Sequence, residues 1–358
     1  MFQSDLVTLT RVLRDDLAPR TRTESVVLSD RPHARLVRYG TADQLDRARE
    51  TGAVPVLLVP PLAVPADCYD LAPGVSPANS VVEFLLDSGT VPYVIDFGDV
   101  GRADRGLGFE DYFDTFVPRA IGEAIDDFRG GSDAVDLMGW SLGGTLSFLT
   151  AAYDRNLPIR SIIGIGTPLN YMKIPPYPLV RAVFGPTGGR PATYVLRALA
   201  GVPAPIVRTV YRSFAWQREL KKPWYILNNL DDTAALERMQ VIDRFQRSLP
   251  GYPGRVTEQM FVNFILGDEL SRGRVEFEDH TVDLTSITAP VFMVGSPRDP
   301  IAPFAAVAHG EKLFTASSHV EFHTVASSHL GLLTGPDAER FTWPAIAAFR
   351  ARLDADQL

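Results

Sequence analysis

The chain is poor in two residue types that define whole classes of protein. Cysteine occurs once in 358 residues, at Cys68, so an internal disulfide framework and a multi-cysteine zinc site are both excluded. Lysine occurs only at Lys173, Lys221, Lys222 and Lys312, and no basic cluster marks a docking patch. The net charge of −8 argues against a phosphate-backbone partner, so nucleic acid is not an expected ligand. No apolar run approaches the roughly 20 residues that cross a bilayer. The opening MFQSDLVTLT lacks a basic region followed by an apolar one, and a cytoplasmic location is the expectation.

What is present is apolar residue in quantity, 46% of the chain, enough for one large core with an insertion. Strand-length apolar runs alternate with helical stretches. Val54–Val59, Val91–Asp96, Ala134–Met138 and Ile159–Ile165 read as strands, and Ser80–Leu86, Phe109–Phe128 and Leu142–Tyr153 as helices. Runs that are apolar throughout suit strands covered on both faces, and the alternation is that of βαβ units. The rhythm stops near Thr167 and resumes with APVFMVG at 289–295, a helix near Phe304–Leu313, a strand at Val320–Thr324 and a closing helix from Glu339. The expected organisation is therefore an N-terminal amphipathic helix in 1–22, a first core segment in 23–167, a helical cap in 168–285 and a second core segment in 286–358. Phe2, Leu6, Leu9, Leu13 and Leu17 form the stripe of that first helix. It docks on the chain's own body, on a second subunit or on a lipid surface, and the sequence leaves the three open.

Gly139-Trp140-Ser141-Leu142-Gly143 is a G-x-S-x-G pentapeptide between an apolar strand and a helix, which is the context of a nucleophile elbow. The turn is too tight for side chains on the flanking glycines, Gly139, Gly143 and Gly144. The reading is an α/β-hydrolase fold: a mostly parallel central sheet with helices on both faces and a helical cap insertion. In such a fold the acid and then the histidine follow the serine on later loops. Asp299, past APVFMVG, and His329, in VASSHLG, occupy those slots, and Asp283 is less well placed. The other histidines fit worse. His33 precedes the core, His280 ends the cap, His309 lies in a helix, and His319 and His323 bracket a strand. His319, His323 and His329 lack a carboxylate or thiol that completes a metal site, so neither metal nor cofactor is expected. The oxyanion hole is expected from the backbone N–H of Leu142 and one in the PPLAVP loop. Pro60 and Pro61 have no N–H, so Leu62 or Ala63 donates there. Cys68 lies further along the same loop, without an elbow.

Several stretches carry a resemblance: VPVLLVPPL, FEDYFDTFVPRAI, VDLMGWSLGGTLSFL, ITAPVFMVGSPRDPIAP and SSHLG. From about Pro55 onward the chain resembles the catalytic subunits of polyhydroxyalkanoate synthases, above all the two-subunit class III type. The family elbow reads G-Y-C-L-G-G, whereas Gly139–Gly144 carries serine in place of cysteine. The family's D-H-I-V-P is matched by Asp299-Pro300-Ile301-Ala302-Pro303, and its G-S-G-H by Ser327-Ser328-His329. In the cap, Pro253-Gly254 remain and the family's tryptophan before them is absent. The resemblance implies the same triad, an acyl-CoA or polyester substrate, a second subunit and association with polyester or lipid inclusions. The serine shifts the expected chemistry. A cysteine acyl-enzyme is a thioester that passes its acyl group downhill to a hydroxyl, whereas a serine acyl-enzyme is already an oxygen ester, so water becomes the favoured acceptor. The sequence reads as a serine hydrolase of lipophilic acyl esters or thioesters. A synthase-like acyltransferase or polyester depolymerase is one alternative, and a non-catalytic lipid- or partner-binding relative another.

Overall fold

The computed structural model describes residues 2–74, 79–189, 193, 196, 201–214 and 216–358, with the side chains of residues 2–5, 214 and 216–219 left out. Phe2 of the expected N-terminal stripe and Trp216 of the cap thus lie, as side chains, outside the described residues.

Eight strands form one sheet: β1 (Ser25–Ser29), β2 (Arg35–Tyr39), β3 (Val56–Val59), β4 (Pro92–Asp96), β5 (Val135–Trp140), β6 (Ile159–Ile165), β7 (Val291–Gly295) and β8 (Val320–Thr324), in the order β1-β2-β4-β3-β5-β6-β7-β8. Only β2 runs against the rest, pairing antiparallel with β1 and β4, and the other pairings are parallel. The unbroken apolar runs follow from cover on both faces. Leu57, Val59, Leu137, Ile162 and Met293 belong to one core cluster, and their neighbours Val56, Leu58, Met138, Ile163 and Phe292 to another, as the period of two requires.

Helices α2 (Ala42–Glu50), α4 (Val117–Asp127) and α5 (Leu142–Tyr153) cover the first face. Helix α3 (Val81–Asp87) and the C-terminal helix Trp343–Asp354 cover the second. Helix α5 is apolar all round because it is buried all round: the hairpin of Arg274–Glu276 and Thr281–Asp283 packs on the side away from the sheet. Helix α2, which the sequence reading passed over, starts at a capping box in which Thr41 and Gln44 satisfy each other's backbone amides.

Within 168–285, helices α6 (Tyr177–Phe184), α7 (Ala204–Phe214), α8 (Trp216–Asn228) and α9 (Thr233–Arg247) come first. Val207 of α7 and Val241 and Phe245 of α9 join the cluster that holds Trp140 and Val294, so the cap sits over the C-terminal ends of the strands. From Gly254 onward the chain returns to the main core, with Val256, Phe264, Val275 and Val282 in its first cluster. The N-terminal helix α1 (Phe2–Leu13) docks on α9, and of the expected stripe Leu17, just past the helix, takes part. Val12 and the following Leu17 pack against Leu236 and Met239, while Leu6 and Leu13 are 62% and 76% exposed. Polar contacts from α9 set this face: the Gln240 side chain accepts from the amides of Leu17 and Ala18 and donates to the Val12 carbonyl.

At the N-terminal end of β5, opposite the turn that carries Ser141, Asp136 is fully buried. Arg160 Nε and Arg350 Nε each donate to it at 2.8 Å, and Ser161 Oγ at 2.7 Å. Burial alone raises its pKa, but the bonds and charges of Arg160 and Arg350 outweigh burial and hold the carboxyl below the usual aspartate range. A depressed folded pKa contributes stability that is present above the unfolded value of about 3.9 and lost as pH falls through the folded one. Asp136→Asn is expected to cost about 3 kcal/mol at neutral pH, read as a lower urea midpoint at unchanged slope, and the gap to the parent should narrow as pH is taken below about 4.

Candidate active site

Ser141 follows β5 with φ 53° and ψ −124°, a backbone conformation that costs a non-glycine residue of order 1–3 kcal/mol and persists only where the surroundings enforce it. Its amide is held by the Ile165 carbonyl of β6 at 2.8 Å. The flanking glycines are steric necessities: a Cβ on Gly143 would lie 2.0 Å from the Val59 carbonyl oxygen, and one on Gly139 2.4 Å from the backbone of Gly143. The fully buried Tyr69 ties the turn to β3, its hydroxyl donating to the Val59 carbonyl at 2.7 Å and accepting from the Trp140 amide at 3.1 Å. Beyond Ser141, α5 begins with Leu142, whose amide has no acceptor within the helix.

Asp299 and His329 come together. Asp299 Oδ2 accepts from His329 Nδ1 at 2.6 Å, and Asp299 Oδ1 accepts from the amides of Ile301 and Ala302 at 2.8 and 2.9 Å. Both residues are buried. A carboxylate on Nδ1 keeps the proton there and leaves Nε2 as the acceptor, and Nε2 is buried with no partner. No hydrogen bond joins it to Ser141 Oγ among the described residues; such bonds are often long until substrate binds. The imidazole nonetheless sits beside the elbow. Its Cε1 lies 3.1 Å from where a Cβ on Gly166 would stand, and Gly166 follows the Ile165 that holds Ser141. The ring of Trp140 lies 5.0 Å from it, and Trp140 Nε1 donates to the His329 carbonyl at 3.2 Å.

The two loops are locked together by Ser296, which is fully buried. Its Oγ donates to the Ser327 carbonyl at 2.5 Å and accepts from the amides of Ser327 and Arg298, both at 3.0 Å. The sequence reading missed Ser296 and Tyr69, which act through Ser327 and Trp140, 31 and 71 residues away, and whose residue types are common. Of the two candidates in the PPLAVP loop, Ala63 has φ 61°, and both Leu62 and Ala63 are buried.

The remaining candidates fall elsewhere. Cys68 is buried, and burial with Asp67 and Asp96 nearby pushes its thiol well above the ordinary range. His319 and His323 stack on Phe349 and Phe292, and His309 bonds the Ser271 carbonyl. No group of three or more metal-ligating side chains occurs among the described residues, and none of the described helices is long and apolar enough to cross a membrane.

A cavity of about 690 Å³ opens onto His329 and Trp140, walled by Val64, Met239, Ile242, Phe245, Leu249 and Ile301, with Lys221, Lys222 and Arg238 also in its lining. Most of the exposed wall is apolar, with Met239, Ile242, Phe245 and Leu249 supplied by the cap, which suits an apolar ligand.

A sheet of this order with one reversed strand, and a serine at the turn after β5, defines an α/β-hydrolase fold. No family model matches the chain. In sequence it is similar to poly(3-hydroxyalkanoate) polymerase subunits PhaC. It is 24% identical to that of Synechocystis sp. over 303 residues, covering 82% of this chain and 76% of that protein, and 23% identical to that of Allochromatium vinosum over 312 residues, covering 87% and 83%. For the subunit of Haloferax mediterranei the identity is 23% over 306 residues, and the chain spans 58% of that protein's length. Among solved structures, the esterase RhEst1 from Rhodococcus sp. aligns over 93% of this chain and 100% of its own at 15% identity, with a TM-score of 0.49.

Ser296→Ala removes one hydroxyl from three backbone partners and is expected to cost about 1–3 kcal/mol. The low-field proton resonance of the Asp299–His329 bond should broaden in the variant, as proton NMR near neutral pH will show. Cys68 should resist Ellman's reagent in the native protein and react stoichiometrically in guanidinium, since only the thiolate attacks and the folded state suppresses it.

Proposed function

We propose that the protein is a serine hydrolase that cleaves carboxylic esters or thioesters of lipophilic acyl groups through Ser141, His329 and Asp299. The observation that carries this reading is His329 itself, bonded to Asp299 at Nδ1 and unpaired at a buried Nε2 in the wall of an apolar cavity. In the proposed cycle Ser141 Oγ attacks the acyl carbonyl while His329 Nε2 takes the hydroxyl proton. The tetrahedral oxyanion is held by the Leu142 amide and by that of Leu62 or Ala63. His329 then gives the proton to the departing alcohol or thiol, leaving the acyl group on Ser141. Water, deprotonated by His329, attacks this ester, the free acid leaves, and the proton returns to Ser141. Gly139, Gly143 and Gly144 keep the turn tight enough for the serine to stand in the open.

A second reading is supported by the relatives, which are named as polymerase subunits. In it acyl-CoA acylates Ser141 and releases the thiol, and a hydroxyl at the end of a growing polyester resolves the acyl-enzyme; or the polyester itself is the acyl donor, and water resolves the acyl-enzyme. The second reading gives the exposed Leu6, Val7 and Leu13 of α1 a role in meeting a second subunit or an inclusion surface.

Turnover separates the readings. With p-nitrophenyl esters and acyl-CoAs of graded length, free acid should appear, and Ser141→Ala and His329→Ala should each lower kcat by about 10³-fold or more. Asp299→Asn should lower it less than the loss of either partner. Polymer in place of acid would carry the second reading, and turnover that survives in Ser141→Ala would remove both.

A further inference from the structure

The segment that follows α1 is fastened at both ends. Toward the cap, the Gln240 side chain of α9 accepts from the amides of Leu17 and Ala18 at 3.0 and 2.9 Å and donates to the Val12 carbonyl at 2.9 Å. Further along the same helix, Arg244 and Arg247 donate to the Asp15 carboxylate at 3.1 and 2.7 Å, and Arg244 reaches the Ala18 carbonyl at 3.0 Å. Toward the core, Arg22 forks onto Asp67 with two bonds of 2.6 Å. The Thr23 amide and hydroxyl donate to the buried Asp70 at 2.9 and 2.8 Å, and Ser80 Oγ holds the same carboxylate at 2.7 Å. Residues 12–23 thus form a strap from the cap helix α9 to the loop that follows PPLAVP.

At the cap end of this strap, Leu17 is 3% exposed and belongs to a small apolar cluster with Val12, Leu236 and Met239. Met239 also lines the cavity that opens onto His329, and among the described residues of that lining none belongs to the strap. The strap is therefore a second layer behind the wall. Leu17 is held there by its own amide on Gln240, and methionine is a flexible side chain that takes the shape its surroundings leave it. We propose that Leu17 is a positioning residue that, through Met239, sets the depth of the cavity and so the length of acyl chain the cavity takes. This rests on the reading of the cavity as the acyl site. A smaller residue at 17 leaves space behind Met239 into which the wall relaxes, and the cavity deepens by about the volume removed.

The test uses the full chain carrying Ser141→Ala, so that binding is read without turnover. Affinities for p-nitrophenyl hexanoate and p-nitrophenyl decanoate are measured by tryptophan quenching with leucine, alanine, valine and methionine at position 17. Leu17→Ala should raise the decanoate-to-hexanoate affinity ratio by about fourfold or more, which is the worth of one further buried methylene. Leu17→Val should move the ratio the same way by less, and decides the matter if the alanine variant fails to fold. Leu17→Met, which conserves volume, should leave the ratio within about twofold of the parent. A residue that serves stability alone would lower the melting temperature and weaken both esters alike. An unchanged ratio in the folded alanine and valine variants, or an equal loss of affinity for both esters, would overturn the proposal. Failure of the hydrolase reading shows separately, as a shifted ratio with no release of acid by the protein that retains Ser141.

Discussion

The structure depends on one tight turn, in which the backbone reverses from β5 into α5 with Ser141 at φ 53°. The conformation is unfavourable for serine and is maintained by its neighbours. The Ile165 carbonyl holds its amide, and Tyr69 holds the amide before it while bonding the next strand. At Gly143 the helix passes so close to Val59 that no side chain fits. These contacts come from β3, β5 and β6, the strands at the centre of the sheet. The apolar core on both faces therefore has a function beyond stability, because it is what makes the strained turn the lowest state available.

The acid and histidine are organised by the neighbouring strands. β7 and β8 are parallel and adjacent, so the loops that leave them emerge side by side, and Ser296 joins the two through two hydrogen bonds to Ser327. Trp140 then links the histidine loop to the elbow through its indole N–H. Asp299 has two backbone donors on one oxygen and the imidazole on the other, which fixes the ring and its tautomer together. The cap contributes Met239, Ile242, Phe245 and Leu249 to the apolar part of the cavity that opens onto His329.

Much of this was legible in the residues, for physical reasons that differ by element. VLLV and VFMVG announced covered strands because two-sided burial favours unbroken apolar runs, VDLM did so despite the buried Asp136, which Arg160 and Arg350 pair, and the glycines of G-x-S-x-G are forced by contact. The Asp299–His329 hydrogen bond joins the two residues that their order after the serine singled out, and their catalytic roles belong to the proposed function. Helix α2 was not legible, since it buries only Leu45 and Ala48 and is otherwise charged, with the Thr41–Gln44 box as its one signal. The docked face of α1 was legible only in part: Leu17 packs as expected, but Leu6 and Leu13 are exposed, because Gln240, more than 220 residues away, holds the segment after the helix through hydrogen bonds to Leu17 and Ala18. Leu62 and Ala63 could not be told apart, because an amide donor leaves no trace in residue type. Tyr69 and Ser296 matter through partners that only the folded chain assembles.

The central claim is that Ser141 is an activated nucleophile served by His329. The most direct measurement is intact-mass and peptide analysis after incubation with a long-chain alkyl fluorophosphonate, which phosphonylates a serine only where a base has activated it. A single adduct confined to the peptide containing Ser141, and lost in His329→Ala, is the predicted result. No adduct, or an adduct at another residue while Ser141 stays unmodified, would contradict it.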